Sequence, residues 1–385
     1  MLPKNDGKGF QQILRNRINS IPYHFNIDLI IVKPIHEFFR FNRQSEYKEK
    51  LQGRYLYTKF MYPTVFDFLL LPFYLFSGMP LQVIIYRNAR LKKFIKERVD
   101  RLENDNCYVM TSRVFFADLE KFNNLLVDFV DSMHLNFSRR AMSSKNFFKK
   151  LLFFYEANRM YFWDASVSKK SSMALTVSLL DQSIINKNRC EVIPIGIDDE
   201  REIELGKNPK HLVFSGDLGY SPNIEAISYF SNKCWPAIRR KFPSMEFHII
   251  GRNLTKKNKC RFEKIEGVII VGEVQNMVSN LQRYKYSVAP MVSGSGMQFK
   301  IIEAMFAGPV VLATHLAIGA LKMENKKHLF IVETGKDFLH KIIELEGNQK
   351  LVKKIKANAF KAVVTEYSWR KVNKLFCQTK WFRNL

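Results

Sequence analysis

The order of apolar and polar positions along the chain predicts short buried strands that alternate with helices. Continuous apolar runs at 211–216, 245–251 and 309–314 predict strands that are buried on both faces. Segments with helical spacing of their apolar residues, such as 222–242 and 348–366, lie among these runs. Such alternation is typical of βα units and of a parallel sheet.

The same alternation occurs on both sides of a polar stretch at 198–210, which carries charges, Gly and Pro and is predicted to be a linker. A length of 385 residues fits two cores better than one. We therefore predict an α/β fold with two Rossmann-like domains that face one another, each with a parallel sheet. Ligands are expected outside the carboxyl ends of the strands. The predicted domains are 1–200 and 201–365, followed by a final helical segment at 366–385.

The N-terminal half is predicted to contain both element types. Its apolar runs predict strands at 27–35, 107–112 and 125–131. Its amphipathic segments predict helices within 45–105 and over 138–164.

The formal net charge is +25, and the basic residues are spread along the whole chain. A charge of this size attracts anions, so nucleic acid, an anionic membrane and phosphorylated small molecules are the partner classes to weigh. No single run is typical of a nucleic-acid-binding arm, and we expect no nucleic-acid partner. The 5 cysteines and 8 histidines are scattered without metal-ligand spacing, which favours a reducing compartment and predicts no metal site.

One apolar segment, 64–86, approaches the length of a membrane span. Asp67, Pro72 and the sequence at 77–80 interrupt it, whereas a spanning helix needs about 20 mostly apolar residues. We therefore predict a buried helix pair or a helix that lies in the membrane interface.

The segment at 289–314 carries the strongest chemical signal. An apolar run ends in Ser-Gly-Ser-Gly at 293–296, and a helix is predicted to begin directly afterwards. Glycines at such a turn allow the backbone to approach a phosphate, and the helix N-terminus offers amide groups and a positive dipole end. Lys300 and Glu303 follow on one helix face, where they could contact a diphosphate and a ribose. Spacing alone leaves a second interpretation open, in which they form an ordinary surface pair.

Residues 289–314 resemble the donor-binding signature of the group 1 glycosyltransferases, a large retaining family with the GT-B fold. The pattern Gly-x-Gly-Met-x-x-Lys-x-x-Glu-Ala-Met is similar to that of the bacterial polysaccharide and exosortase-associated branch. Further segments at 192–198, 211–230, 247–253 and 268–277 also resemble that branch. The sequence around Trp369 resembles the family's last helix, which crosses back to the first domain.

The resemblance implies a role for each matching position. Lys300 would neutralise the diphosphate, Glu303 would bind the ribose, and Asp131 is a candidate for the catalytic polar residue that faces the sugar. Gly7 and Gly9 would form the acceptor-side loop. The other implied donor-binding residues are Gly216, Arg252, Val274, Gly294, Ser295, Gly296, Met297 and Gln298.

Three departures from the family pattern change these expectations. Ser295 stands where many members have the first of two glutamates, which removes one donor-sugar contact. Asp217 stands where many relatives have Arg, so the phosphate cation is expected to be Lys300, helped by Arg252. The strand that precedes the glycine loop in family members is missing before Gly7, so the first strand of the N-terminal domain is expected to be absent from this sequence.

The resemblance implies a metal-independent transferase without cofactors that uses a nucleotide-sugar donor in cell-envelope glycan biosynthesis. The basic charge and the segment at 64–86 add a lipid-linked or polysaccharide acceptor, a cytoplasmic location and peripheral contact with an anionic membrane. Two alternatives remain: a nucleotide-sugar 2-epimerase of the same fold, and an inactive donor-binding partner protein.

Overall fold

The structure is a computed structural model, and it describes residues 9–37, 46–51, 54–99, 106–115, 119–144, 146–198, 211–293, 298–319 and 321–385. The chain divides into two compact units. Unit 1 comprises Met1–Pro194 and Val372–Leu385, and unit 2 comprises Ile195–Lys371.

The divisions lie a few residues away from the predicted 200/201 and 365/366. The reason is a bridge inside unit 2, where the Ile197 N–H donates to the Tyr367 carbonyl at 2.7 Å. The Trp369 N–H then donates to the Ile197 carbonyl at 3.0 Å. The chain around Ile197 and the chain at 367–369 are thereby held together in unit 2.

Unit 1 contains two separate sheets. The first has the order β1-β3-β2, with β1 parallel to β3, and the second is a parallel sheet with the order β4-β5-β6-β7. The elements in chain order are α1 (Gly9–Ser20), β1 (Ile27–Val32), β2 (Glu46–Leu51), β3 (Arg54–Met61), α2 (Val65–Leu69), α3 (Leu71–Phe76), α4 (Leu81–Ile84), α5 (Ala89–Val99), β4 (Asn106–Met110), β5 (Asn124–Asp128), α6 (Met133–Ser143), α7 (Phe147–Lys170), β6 (Met173–Thr176), α8 (Leu179–Ile185) and β7 (Cys190–Val192).

The helical prediction for 45–105 is wrong at its beginning. β2 and β3 form an antiparallel hairpin in which Leu51 pairs with Arg54. The sequence of β3, RYLYTKFM, is rich in aromatic residues, which favour strands over helices. Four helices, α2 to α5, follow between Val65 and Val99, and residues 100–105 lie outside the described residues.

The helix predicted at 138–164 is two helices, α6 and α7. α6 ends at Ser143, and Asn146 begins α7, because its side-chain oxygen accepts a hydrogen bond from the Lys149 N–H at 3.0 Å. An Asn side chain in this position satisfies an amide group of the first turn and fixes the start of the new helix.

The segment at 64–86 folds into the short helices α2, α3 and α4. A capping box joins Thr64 to Asp67 and fixes the first turn of α2. Pro80 precedes the first residue of α4. Within the part of the chain that the structure describes, no helix has the length and apolar character needed to cross a membrane.

Unit 2 contains one parallel sheet of six strands in the order β10-β9-β8-β11-β12-β13. This is the doubly wound Rossmann order, in which the connections reverse direction between the first and fourth strands along the chain. The elements are β8 (Leu212–Ser215), α9 (Ser221–Tyr229), a π-helical turn (Phe230–Cys234), α10 (Trp235–Lys241), β9 (Phe247–Ile250), α11 (Lys256–Glu263), β10 (Val268–Gly272), α12 (Met277–Leu281), β11 (Tyr286–Ala289), α13 (Phe299–Ala307), β12 (Val310–Ala313), α14 (His315–Ile318), β13 (Phe330–Ile331), α15 (Gly335–Gly347) and α16 (Gln349–Tyr367).

The complete burial of several strands in unit 2 explains why the sequence pattern predicts them. Every residue of β8, β11 and β12 is buried, so each strand is a continuous apolar run with few polar positions. α13 packs over this sheet and against α16, where the Phe306 and Phe360 rings stack with centroids 5.6 Å apart. The predicted fold class, α/β with parallel sheets, is confirmed.

The last two helices, α17 (Trp369–Cys377) and α18 (Lys380–Arg383), return the chain to unit 1. The Trp381 indole N–H donates to the Asn124 carbonyl at 2.9 Å, and the Asn124 amide donates to the Trp381 carbonyl at 3.0 Å. The Arg17 guanidinium lies over the Phe376 ring at 4.6 Å. Through these contacts α17 and α18 cover part of the core of unit 1 beside β5.

Candidate functional site

The site of interest lies at the switch point of the unit 2 sheet. β8 and β11 are neighbouring parallel strands, and the chain leaves them towards opposite sides of the sheet. Helices on the two faces diverge at such a point and leave a crevice outside the carboxyl ends of the strands. α9 follows β8 there, and α13 follows β11.

Lys300, in the first turn of α13, lies within this crevice. Its Nζ donates to the Asn223 Oδ1 at 2.5 Å, is 3.5 Å from the Met291 Sδ and lies 4.5 Å from the centre of the Phe214 ring. Burial lowers the pKa of Lys300 to about 7, although the charge of Glu303 acts in the opposite direction. A cation with so few polar partners gains free energy when an anion approaches.

Glu303 lies one turn further along the same helix. Burial raises the pKa of its carboxyl to about 7, and the nearby Lys300 charge opposes this rise. The carboxyl forms no hydrogen bond or ion pair with any residue that the structure describes. A partly buried carboxyl without partners is costly to retain, so its oxygens are available to bind hydroxyl groups of a ligand.

Two side-chain contacts connect the β8–α9 corner to the β11–α13 corner. Lys300 reaches Asn223 in the first turn of α9, as described above. Ser293 donates a short hydrogen bond to Glu225, which also accepts from the Ser221 hydroxyl at 2.9 Å. The segment that leads into the glycine motif is thereby tied to α9 where it leaves β11.

Glycines allow the strand ends to approach one another closely. A Cβ atom on Gly251 would lie 1.9 Å from the Gly216 carbonyl oxygen, which is impossible without a backbone shift. A Cβ atom on Gly216, whose φ is 155°, would lie 2.9 Å from the Asn223 amide and 3.6 Å from the Lys300 Nζ. Both positions therefore need glycine for the crevice to keep its shape.

Asp217 organises the turn after β8. Its carboxylate accepts from the Gly219 N–H at 3.0 Å, the Asn253 amide at 2.9 Å and the Arg252 Nε at 3.2 Å. Burial acts to raise the pKa of Asp217, but these donors outweigh it and hold the pKa below its usual value. Arg252 thus forms an ion pair with Asp217, and its contact with a donor phosphate stays a prediction.

The start of α13 carries a second feature suited to an anion. Gln298 is the N-cap residue, but its side chain makes no capping hydrogen bond to the helix. The Ile301 N–H of the first turn donates to the Gln298 carbonyl at 2.9 Å, and no acceptor among the described residues is recorded for the Phe299 and Lys300 N–H groups, which a bound anion could use. The four residues before it, Gly294, Ser295, Gly296 and Met297, lie outside the described residues, as does Gly7.

The structure also describes two further predicted site residues, Gly9 and Val274. Gly9 is the first residue of α1 rather than part of a loop, because the helix begins there. Val274 follows Gly272, whose φ of 86° ends β10, and packs partly against the core of unit 2.

Asp131 lies on the surface of unit 1, before α6. The Asn136 amide donates to its Oδ2 at 2.6 Å, and its negative charge adds to the raised pKa of two buried acids, Asp164 and Asp181. Burial is the main cause in both and raises the pKa of Asp164 to about 7. Ser132, rather than an aspartate, caps α6.

Asp128, the last residue of β5, is buried in the core of unit 1. It accepts from the Tyr108 hydroxyl at 2.8 Å and lies 3.6 Å from the Arg17 Nε. The interior of unit 1 therefore uses Asp128 as a structural hydrogen-bond acceptor.

Sequence reasoning assigned no role to Asn223, Glu225 or Asp164. The Ser-Pro-Asn helix start at 221–223 was the one available signal for the first two, because it marked where a helix begins after β8. Their contacts join residues 68 and 77 positions apart in the chain, which local patterns do not show. Asp164 lies in the middle of a long helix without any motif.

Among the described residues one group could supply metal ligands: His211, Glu246 and His248. They lie at the amino ends of β8 and β9, whereas Lys300 lies beyond the carboxyl ends of the strands. His248 is 2.9 Å from the Glu246 carboxylate, and the Glu246 N–H donates to the His211 Nδ1 at 3.2 Å. Hydrogen bonds within the group thus involve the His248 Nε2, the Glu246 Oε2 and the His211 Nδ1.

The geometry agrees with the comparison to known proteins. Residues 209–348, which contain the whole switch-point crevice, match the family model for glycosyl transferases group 1. The chain carries a group 1 glycosyltransferase domain. Lys300 and Glu303 thus belong to the glycosyltransferase domain and not to an unrelated Rossmann sheet.

Solved structures with a similar fold extend over both units. Sucrose-phosphate synthase from Thermosynechococcus elongatus has a TM-score of 0.61 at 11% identity, covering 96% of this chain and 90% of that one. The Anabaena protein HepE in complex with UDP has a TM-score of 0.55 at 12% identity, covering 92% and 99%. The pneumococcal O-GlcNAc transferase GtfA, in complex with UDP and GlcNAc, has a TM-score of 0.55 at 13% identity and covers 74% and 58%. These structures show that the fold is GT-B.

A curated relative comes from Klebsiella pneumoniae and is described as an uncharacterized 44.6 kDa protein in the cps region. The two are 22% identical over 244 residues. The match covers 58% of this chain and 60% of the relative, so the chain spans well under two thirds of that protein's length.

Proposed function

We propose that the protein is a retaining glycosyltransferase that moves a sugar from a nucleoside-diphosphate sugar to a lipid-linked or polysaccharide acceptor in cell-envelope glycan biosynthesis. One observation carries the proposal: a buried lysine and a carboxyl that has no hydrogen bond or ion pair among the described residues lie together on the first turns of α13, at the switch point of the group 1 glycosyltransferase domain. The complexes of HepE and GtfA with UDP support a nucleotide donor. The cps-region relative supports an envelope glycan.

The proposed chemistry follows from the charges. When the bond between the sugar and the diphosphate breaks, negative charge grows on the leaving diphosphate. Lys300 and the amide groups at the start of α13 stabilise that charge in a partly dry crevice, where the electrostatic effect is stronger than in water. Glu303 accepts hydrogen bonds from the ribose hydroxyls and fixes the nucleotide. With these groups the leaving diphosphate needs no metal, and no cofactor takes part.

Two further parts of the proposal concern the surroundings of the reaction. The protein acts in the cytoplasm and contacts the anionic inner face of the membrane, where a lipid-linked acceptor is found. Asp131 is the proposed polar residue towards the donor sugar, and Gly7 with Gly9 lies on the acceptor side. The basic net charge of +25 supports contact with anionic lipid.

Donor binding tests the site directly. We expect UDP and UDP-sugars to raise the melting temperature of the wild-type protein, and Lys300→Ala and Glu303→Ala each to weaken this binding by roughly 10–100-fold, because each removes a charge-assisted hydrogen bond. Titration calorimetry gives the dissociation constants. Lys264→Ala, an exposed lysine of unit 2, is the matched control and should bind as the wild type does. Equal donor stabilisation of both site variants and the wild type would overturn the assignment.

The reaction itself has separate readouts. NMR of the product should show the same anomeric configuration as the donor, and activity should survive EDTA. Inversion would contradict retention, and loss of activity with EDTA would contradict metal independence. An epimerised nucleotide sugar formed without acceptor would replace the transferase proposal with an epimerase.

A further inference from the structure

Two apolar faces of unit 1 are exposed in the described structure. On α2 and α3 the side chains of Phe73 and Phe76 are 71% and 89% accessible. The first two turns of α7 are exposed on nearly every side, and Phe148 there is 79% accessible. A helix segment that is apolar around most of its circumference needs a covering partner. We define the docking surface as Phe66, Leu69, Phe73, Phe76, Phe148 and Leu151.

Hydrogen bonds outside the two faces hold α7 against the segment that follows α3. Glu156 of α7 accepts from the backbone N–H groups of Leu81 and Gln82, at 2.9 and 2.8 Å, at the start of α4. Arg159 donates to the Met79 carbonyl at 2.9 Å. The corner that follows α3 is therefore fixed against α7, and the docking surface belongs to one folded unit.

The charges on this surface have one sign. Its acids are turned inward: Asp67 is buried and accepts from the Ala89 N–H at 2.7 Å, and Glu156 is buried in the caps just described. The exposed charges within α7's first two turns are Lys149 and Lys150. The segments at 64–79 and 146–155 contain no other acid. Large apolar side chains next to lysines match the boundary between anionic headgroups and acyl chains.

We propose that the docking surface inserts into the interface of an anionic lipid bilayer. The helices α2 and α3 are too short to span and lie in the plane of the interface, with Phe73 and Phe76 below the headgroups. Lys149 and Lys150 contact lipid phosphates. The proposed function includes contact with an anionic membrane, and this inference names the residues that make that contact. Its evidence is the exposed side chains and not the donor site.

Vesicle co-sedimentation of the full chain tests the proposal. The wild type should bind vesicles of phosphatidylcholine with about one-third phosphatidylglycerol more tightly than vesicles of phosphatidylcholine alone. The triple variant Phe73→Ser, Phe76→Ser, Phe148→Ser should bind at least about tenfold more weakly to both, because it loses the inserted apolar area. Lys149→Glu with Lys150→Glu should lose the preference for anionic lipid.

Matched variants in unit 2 control for general changes in polarity and charge. Ile269→Ser with Ile343→Ser removes exposed apolar side chains, and Lys353→Glu with Lys354→Glu reverses exposed charges. Both should bind vesicles as the wild type does. If the docking variants also bind as the wild type does, the proposal is wrong. It is equally wrong if the wild type ignores vesicles and instead self-associates through these phenylalanines, as sedimentation of the triple variant would show. UDP binding, measured in parallel, should be unchanged in every variant, so the donor site is judged separately.

Discussion

Lys300 is a buried basic side chain, and its burial destabilises the charged form. Its contacts are one amide oxygen, a thioether and an aromatic ring, and no carboxylate forms an ion pair with it among the described residues. Its pKa near 7 therefore contrasts with the pKa of 10.5 that the side chain has when exposed. The ligand-free protein gains stability as pH rises through this window, because the unfolded chain holds a proton that the folded chain has released.

A diphosphate reverses this balance and makes donor binding pH-dependent. The anion favours charged Lys300 and raises its pKa, so binding above pH 7 takes up a proton, and affinity should fall by up to about tenfold per pH unit. Glu303 is mostly ionised in that range and contributes little. Calorimetry of UDP binding near pH 8 in buffers of different ionisation enthalpy measures the uptake. Lys300→Arg, whose guanidinium stays charged, should bind UDP without proton uptake. Identical proton uptake by this variant would show that another group titrates.

At the scale of elements, the crevice depends on how closely two strand ends approach. β8 and β9 continue past their last residues with the Gly216 N–H donating to the Ile250 carbonyl at 3.0 Å. The next residue of that pair of strands, Gly251, touches the Gly216 carbonyl so closely that no side chain fits. The turn that carries Asp217 and leads to Asn223 is therefore positioned by backbone contact.

Gly251→Ala should push these strand ends apart. We expect a loss of more than about 2 kcal/mol in the free energy of unfolding, since overpacked sites of this kind cost roughly 1–3 kcal/mol and here the contact is with backbone. Urea denaturation measures the change. Gly347→Ala, at the end of α15 where a Cβ atom meets nothing within 4 Å, is the control and should be neutral or slightly stabilising. Comparable unfolding midpoints for both variants would refute the close approach.

The sequence predicted the elements of unit 2 wherever burial was complete. β8, β11 and β12 are apolar at nearly every position, so their patterns were unambiguous. α11, with the sequence KKNKCRFE, was not assigned, because only Phe262 is buried and its polar pattern resembles a loop. The hairpin of β2 and β3 was missed because its charged, amphipathic sequence suits a helix as well as a strand.

The candidate site was predictable in part for a similar reason. Lys300 and Glu303 lie next to a glycine motif and share one helix, so local spacing placed them together. Asn223 and Glu225 contribute only because the sheet order brings β8 beside β11, and that order is a property of the whole domain. Arg252 was expected to help Lys300 with phosphate, whereas its described partner is Asp217.

At the scale of the whole molecule, the two units share one chain unequally. Unit 2 is continuous, whereas unit 1 is completed by Val372–Leu385. Trp381 is 3% exposed and exchanges two hydrogen bonds with Asn124, the first residue of β5. Its ring centre lies 6.1 Å from that of Tyr108 in β4.

Trp381→Ala should therefore weaken unit 1 selectively, by about 3–5 kcal/mol for a buried tryptophan. Hydrogen exchange read by mass spectrometry should show faster exchange in β4 and β5, with β8 and β11 unchanged. Trp369→Ala is the reciprocal control, because this ring packs against Gly196 within unit 2. It should speed exchange in unit 2 instead. The same exchange pattern in both variants would contradict the division into units.

This division of the chain sets an order of events during synthesis. Residues 195–371 are all synthesised before Trp381, so the chain holds the full sequence of unit 2 while unit 1 still lacks the tryptophan that packs beside β5. Unit 1, most of which is synthesised first, is thus completed after unit 2. A chain truncated shortly before residue 381 would carry the full sequence of unit 2 together with a unit 1 that exposes part of its core and is prone to aggregate.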